Sequence, residues 1–250
     1  MSDHVIVTDE GPVRTVRMNR PDKKNALTAA MYDAMAIALE TAGTDDRIRC
    51  VVIAGAPGAF SAGNDLAEFA LAGVSGEGLG TPVVRFLHAL ARSERPLVAA
   101  VQGLAVGVGT TMLLHCDHVV AGTDARFTTP FVSLGLVPEA ASSLLAPRLM
   151  GHGRAFELLV MGRPLDAATA LGCGLINAAV PPGDVDAHAM RAAREIAALP
   201  AEAVAASRRL MRGSPDDTVA RIDEEVRLFR ERLKSAEAKA AFDAFLKRKR

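Results

Sequence analysis

A short apolar run, Leu97 to Val101, stops at Gly103, and Gly107 and Gly109 follow before a helical apolar pattern takes over. That order reads as a buried strand passing through a Gly-rich bend into the start of a helix. Such a bend leaves backbone N–H groups without partners, pointing into a cleft. A second bend, Ala59-Phe60-Ser61-Ala62-Gly63-Asn64-Asp65-Leu66, follows another apolar run, Cys50 to Ala54. Two such units can bring two N–H donors onto one point, the minimum for holding a negatively charged oxygen.

The 250 residues suit one large domain, or one domain with an appendage. Only 4% are aromatic against 50% hydrophobic, so the core is built from Ala, Val, Leu and Met. Lys plus Arg (29) balance Asp plus Glu (29), which gives no electrostatic reason to expect nucleic acid or an anionic membrane as partner. Cys50, Cys116 and Cys173 lie far apart and mostly in apolar runs, as buried reduced thiols do. No apolar run reaches the roughly 18 residues of a membrane span. Met1 to His4 carries neither the basic nor the apolar region of a signal peptide. The expectation is a soluble, cytoplasmic protein.

Val5 to Val7 and Val13 to Met18 flank Gly11-Pro12, a hairpin signal. Thr28 caps a helix with Met31, Ala34, Met35, Ala38, Leu39 and Ala42 on its apolar face. Gly73, Gly76, Gly78 and Gly80 read as a mobile loop and a lid. A helix is expected from about Pro82 to Arg92, a strand from Asp117 to Ala121, and irregular chain from Phe127 to Leu136. Another helix starts near Pro138 and continues toward Met150, and a last strand covers Leu175 to Val180. Strands alternating with helices mean an α/β fold with mostly parallel strands. From Asp184 onward the chain reads as helical. Val219, Ile222, Val226, Phe229 and Leu233 form a narrow seam there, with Asp223, Glu224, Arg227 and Arg230 outside it.

Several motifs then fall in order: Asn19-Arg20-Pro21 with Asn25-Ala26-Leu27, the second bend from Phe60 to Leu66, and Arg95-Pro96-Leu97 through Gly103. Cys116-Asp117, Ala125-Arg126-Phe127 and Pro130 follow. Together they resemble the crotonase superfamily of enoyl-CoA hydratases and isomerases. The resemblance implies a spiral of repeated ββα units over residues 1–195 and a C-terminal helical trimerisation region over 196–250. It implies an acyl-CoA thioester as substrate and a homotrimer or hexamer, with coenzyme A only as part of the substrate and no metal, flavin or nicotinamide. Backbone N–H groups of Asn64 and Val108 are the implied oxyanion donors. Lys24, Ala26, Ala62, Asp65 and Leu66 are the implied CoA contacts, and the tail around Phe245 matches a region that also reaches CoA in relatives. Without relatives, Lys24 reads as a solvated loop lysine and Asp65 as a helix cap.

The departures from the family pattern point to the chemistry. Hydratases of the superfamily use two glutamates; Thr111 and Phe131 occupy those positions here. Neither side chain is a general base near neutral pH. A carboxylate stands further on, in Leu134-Gly135 and Pro138-Glu139, an arrangement similar to the peroxisomal type of Δ3,Δ2-enoyl-CoA isomerase. That branch implies Glu139 as the single catalytic acid–base. Read alone, Pro138-Glu139 is an ordinary helix start whose dipole lowers a carboxyl pKa. A base needs the pKa raised, so desolvation by Phe131, Leu134 and Leu136 has to win. Alternatives are a hydratase, a thioester hydrolase or a non-catalytic acyl-CoA-binding protein. His115-Cys116-Asp117-His118 carries metal-ligand types, but neighbouring side chains there point to opposite sides, and no metal site is expected.

Overall fold

The computed structural model describes residues 3–65, 68 and 79–247. Val5–Glu10 (β1) and Val13–Met18 (β2) precede the helix Ala29–Thr44 (α1), then Cys50–Gly55 (β3) and Ala59–Ser61 (β4). Thr81–Arg92 (α2) leads to Leu97–Val101 (β5), Leu104–Val106 (β6) and the short helix Val108–Thr111 (α3). His118–Gly122 (β7) and Arg126–Thr128 (β8) come next, then Ser142–Leu159 (α4), Leu165–Asp166 (β9), Ala167–Gly172 (α5) and Ala178–Val180 (β10). The described chain finishes in Val185–Ala198 (α6), Ala201–Arg212 (α7), Pro215–Leu233 (α8) and Ala236–Lys247 (α9).

The strands form two sheets, ordered β1-β2-β3-β5-β7-β10 and β4-β6-β8-β9. Apart from the antiparallel hairpin β1–β2, the larger sheet is parallel; in the smaller one only β8–β9 is antiparallel. The passes β3–β4, β5–β6 and β7–β8 each give one strand to each sheet, so every bend delivers the chain from the first sheet to the second. β3 and β5 are buried at every position, as strands covered on both faces must be. Val52, Ala54, Val98 and Ala100 face α6, which offers Val185, Ala189, Ala193 and Ala197 at four-residue spacing. Val51, Ile53, Ala99 and Val101 face the main core with α1 and α2. No helix among the described residues is long and apolar enough to cross a membrane.

Local chemistry explains most of the boundaries. The Thr28 hydroxyl accepts from Met31 N–H at 3.3 Å and caps α1, whose buried face includes Tyr32 and Ala36 beside the expected residues; Ala34 is only half-buried. All five seam residues of α8 are buried, and so is Glu225 between them. The three cysteines are free thiols, Cys50 buried and the other two half-buried.

Three expectations need correction. The bends after the buried runs contain β4 and β6, rungs of a second sheet; three-residue strands are too short to show a period of two. The helix expected at Pro138 begins at Ser142, because Ala140 and Ala141 adopt left-handed backbone (φ 62° and 53°), and it runs to Leu159 with a break at Gly151. The last strand pairs only over Ala178–Val180; Leu175 and Ile176 are buried without pairing. The expected lid lies outside the described residues, except Gly80, which caps α2.

Candidate active site

The two bends are locked into each other by backbone contact. Gly63 has φ 84°, and a Cβ there would stand 2.8 Å from the Val106 carbonyl oxygen, so only glycine allows this approach. A Cβ on Gly109 would meet Ser61 at 3.0 Å. Gly107 (φ 55°) turns the chain into α3, with its N–H donating to Thr128 O at 2.8 Å. The Asn64 segment pairs with Leu27 as a parallel bridge: Leu27 N–H donates to Gly63 O at 2.8 Å and Asp65 N–H to Leu27 O at 2.9 Å. By strand alternation the Asn64 N–H then points away from Leu27. Val108, first residue of α3, presents an N–H ahead of the helical ladder. Among the described residues neither amide donates to a backbone carbonyl outside its own helix or strand.

Beside the bends lies a cavity of about 420 Å³, walled by Ala62, Gly63, Asn64, Val106 and Gly107 on one side. Phe131, Leu134, Leu136, Phe229 and Phe242 make the apolar opposite side, so both C-terminal helices α8 and α9 contribute to it. Val108, which follows the lining residue Gly107 in the chain, and Glu139 are buried to 1% exposure, and neither side chain is part of this lining.

Glu139 is an interior carboxylate. Thr111 Oγ1 donates to its Oε1 at 2.5 Å. Burial pushes the carboxyl up to about 8; the Thr111 hydrogen bond opposes this and the charge of Glu225 adds to it. Desolvation therefore wins over any stabilisation of the anion. Tyr32 lies within electrostatic reach: its phenol is pushed well above the usual range by burial and then by the Glu139 charge. The Tyr32 hydroxyl donates to Asn64 Oδ1, which ties α1 to the second bend.

The residues expected at the CoA end are also drawn together. Lys24 is exposed at the end of a short turn, and its carbonyl accepts from Ala62 N–H at 2.9 Å. Arg20 binds Ala26 O at 3.1 Å and the Asp65 carboxylate at 2.6 Å, lacing this loop to the bend. Asp65 Oδ1 also accepts from Glu68 N–H at 3.3 Å, as a helix cap would. Leu66 and the side chain of Phe245 lie outside the described residues.

The His115-to-His118 stretch scatters. His115 Nε2 meets Ala140 O at 2.7 Å, while Asp117 accepts from Leu97 N–H and pairs with Arg208, each at 2.8 Å. Among the described residues no three His, Cys, Asp or Glu side chains converge as a metal site. Sequence reasoning missed Tyr32 and Glu225, and took Thr111 only as a missing glutamate. The one tyrosine of the chain, a single position from the apolar face of α1, was the available signal for the first.

The sequence matches the enoyl-CoA hydratase/isomerase family over residues 8–250. The chain belongs to this family. It is similar to enoyl-CoA delta isomerase 2 of Rattus norvegicus, 36% identical over 99% of this chain and 64% of that protein. It thus spans about 64% of the length of that curated relative. A probable enoyl-CoA hydratase of Rhizobium meliloti is 31% identical over 98% of this chain and 96% of its own. Among solved structures, Pseudomonas aeruginosa OdaA superposes with a TM-score of 0.93 at 44% identity, covering 98% of this chain and 99% of that one. The fold, with its two sheets and C-terminal helices, is that of enoyl-CoA hydratase/isomerase family members.

Proposed function

We propose that the protein is a Δ3,Δ2-enoyl-CoA isomerase in which one carboxylate, Glu139, moves the proton. The carrying observation is the interior Glu139, its carboxyl held up near 8, beside interlocked bends, with Thr111 and Phe131 where a hydratase needs its two glutamates. Ionised Glu139 takes a proton from C2 of a 3-enoyl thioester, the negative charge of the dienolate moves to the thioester oxygen, and the protonated carboxyl returns the proton at C4. The N–H groups of Asn64 and Val108 stabilise that oxygen, each donor contributing about 3 kcal/mol in the transition state. A general acid–base with a pKa near the working pH transfers protons best in both directions.

The apolar cavity takes the acyl chain, as apolar linings do. Lys24 meets a CoA phosphate, with Ala26, Ala62, Asp65 and Leu66 along the same loop and bend. Residues 1–195 form the acyl-CoA-binding core and 196–250 the helical region. Leu210 and Met211, neighbours on α7 and more than 85% exposed, favour a homotrimer or a hexamer in which that helix is covered.

Incubation with 3-hexenoyl-CoA and, separately, with crotonyl-CoA tests the reading. Conversion of the first to 2-trans-hexenoyl-CoA is expected. Hydration of crotonyl-CoA, or release of free CoA, without that conversion would replace it with a hydratase or a hydrolase.

A further inference from the structure

Glu225 is a second interior carboxylate that the chemistry above leaves unused. It lies on α8 at 4% exposure, within the apolar seam. A carboxylate so placed needs hydrogen-bond donors to offset its lost hydration. Its donors all come from one turn: Ala141 N–H at 2.6 Å, Ser143 N–H at 3.0 Å and Ser143 Oγ at 2.5 Å. Arg221, one turn earlier on α8, reaches Ser143 Oγ at 3.3 Å.

That turn immediately follows Glu139. Ala140 and Ala141 are both left-handed, a conformation that crowds the alanine Cβ against the backbone and is disfavoured for it. Consecutive left-handed alanines persist only where surrounding contacts hold them. Glu225 grips the turn from one side through two amides, and His115 from the other through Ala140 O at 2.7 Å. Burial pushes His115 down to about 4, so it braces the turn as a neutral ring donating from Nε2. The Glu139 carbonyl is itself tied into the turn by Ser142 N–H at 3.1 Å. Displacing Ala140 and Ala141 displaces Glu139.

The geometry points to Glu225 as the positioning residue for Glu139: its carboxylate holds the 139–143 turn in the left-handed form that seats Glu139 against Thr111. This rests on the proposed role of Glu139. Thr111 from α3 and Glu225 from α8 act on the Glu139 carboxyl, whose charge in turn raises the Tyr32 phenol on α1, with neutral His115 behind the turn. Glu225 is in turn pushed up by burial and held down by the Ser143 hydroxyl and amide, the Ala141 amide and Arg221.

Glu225→Gln keeps the size, removes the charge and sets an NH2 group against one of the turn amides. In 3-hexenoyl-CoA isomerisation we expect kcat to fall about tenfold or more and KM to stay within about threefold. We also expect the ionisation midpoint of Glu139, read by carbon-13 NMR or isotope-edited infrared against Glu139→Gln, to move to lower pH. Either readout unmoved overturns the inference; lost kcat with an unmoved midpoint would mark a merely structural residue. If Glu225→Gln does not fold, Ser143→Ala carries the test, with a smaller fall in kcat and a downward midpoint expected and wild-type values in either contradicting it. If the wild-type protein does not isomerise 3-hexenoyl-CoA, the isomerase reading fails, while the spectroscopic titration still tests the hold of Glu225 on Glu139.

Discussion

The two glycine bends and the Glu139 turn are built by opposite means. The bends are backbone devices: positive φ at Gly63 and Gly107 and the close pass of Gly63 under Val106 O set where the Asn64 and Val108 amides point. Side chains matter there mainly by their absence. The turn is a device of buried side chains, assembled from α3, α8 and the stretch before β7 by Thr111, Glu225 and His115. A site of the first kind is specified within a few residues of sequence. A site of the second kind exists only after distant elements have packed.

The contrast breaks most sharply at Glu139. Glu139→Gln preserves shape and hydrogen bonding to Thr111 but removes the base, so kcat for 3-hexenoyl-CoA isomerisation should fall by about 10³-fold with little change in KM. Steady-state kinetics checks it; a loss under tenfold would put the base elsewhere.

On the backbone side, Gly63→Ala forces a Cβ to within 2.8 Å of Val106 O at a φ alanine avoids. Stability should drop by about 1–3 kcal/mol in urea unfolding, and the displaced Asn64 amide should cost about 10²-fold in kcat. An active, fully stable variant would show that the interlock of the bends does not set the oxygen site.

The legible part of the molecule follows the same division. The Gly-punctuated bends, the caps and the α8 seam appear in the sequence because their causes are local: φ at glycine, the Thr28 hydroxyl, spacing on one helix face. The second sheet was hidden because β4, β6 and β8 are three residues each and are defined by pairing with distant strands. The Pro138 helix start misled for a related reason. Local chemistry favours a helix there, and Glu225, 84 residues from Ala141, holds the chain left-handed instead. The high pKa of Glu139 likewise depends on burial from several elements, whereas proximity to a helix start argues the other way.

A milder probe of the turn is Thr111→Val. It removes the hydrogen bond that holds the Glu139 carboxyl down, so the pKa rises further and less of the base is ionised at any given pH. Wild-type kcat should climb with pH to half its plateau at about 8, and the variant midpoint should lie higher, with about tenfold lower rate at pH 8. A midpoint moved downward would reverse the assigned sign.

The smallest effect is expected where the two regions meet. Tyr32→Phe deletes the hydroxyl that holds Asn64 Oδ1 and leaves both backbone amides in place. Loss of one neutral hydrogen bond should cost about 1 kcal/mol, seen as a few-fold fall in kcat/KM without a shift in the pH midpoint. A loss as large as that of Gly63→Ala would mean the Asn64 side chain, and not the bend, fixes the amide.

The central claim is that one shielded carboxylate carries the proton from C2 to C4. Single-turnover conversion of 3-hexenoyl-CoA deuterated at C2, with the product examined by mass spectrometry and NMR, tests it most directly. Deuterium reaching C4 in the wild-type product, with both rate and transfer lost in Glu139→Gln, is the expected result. A product with no label at C4, formed equally fast by Glu139→Gln, would contradict the account.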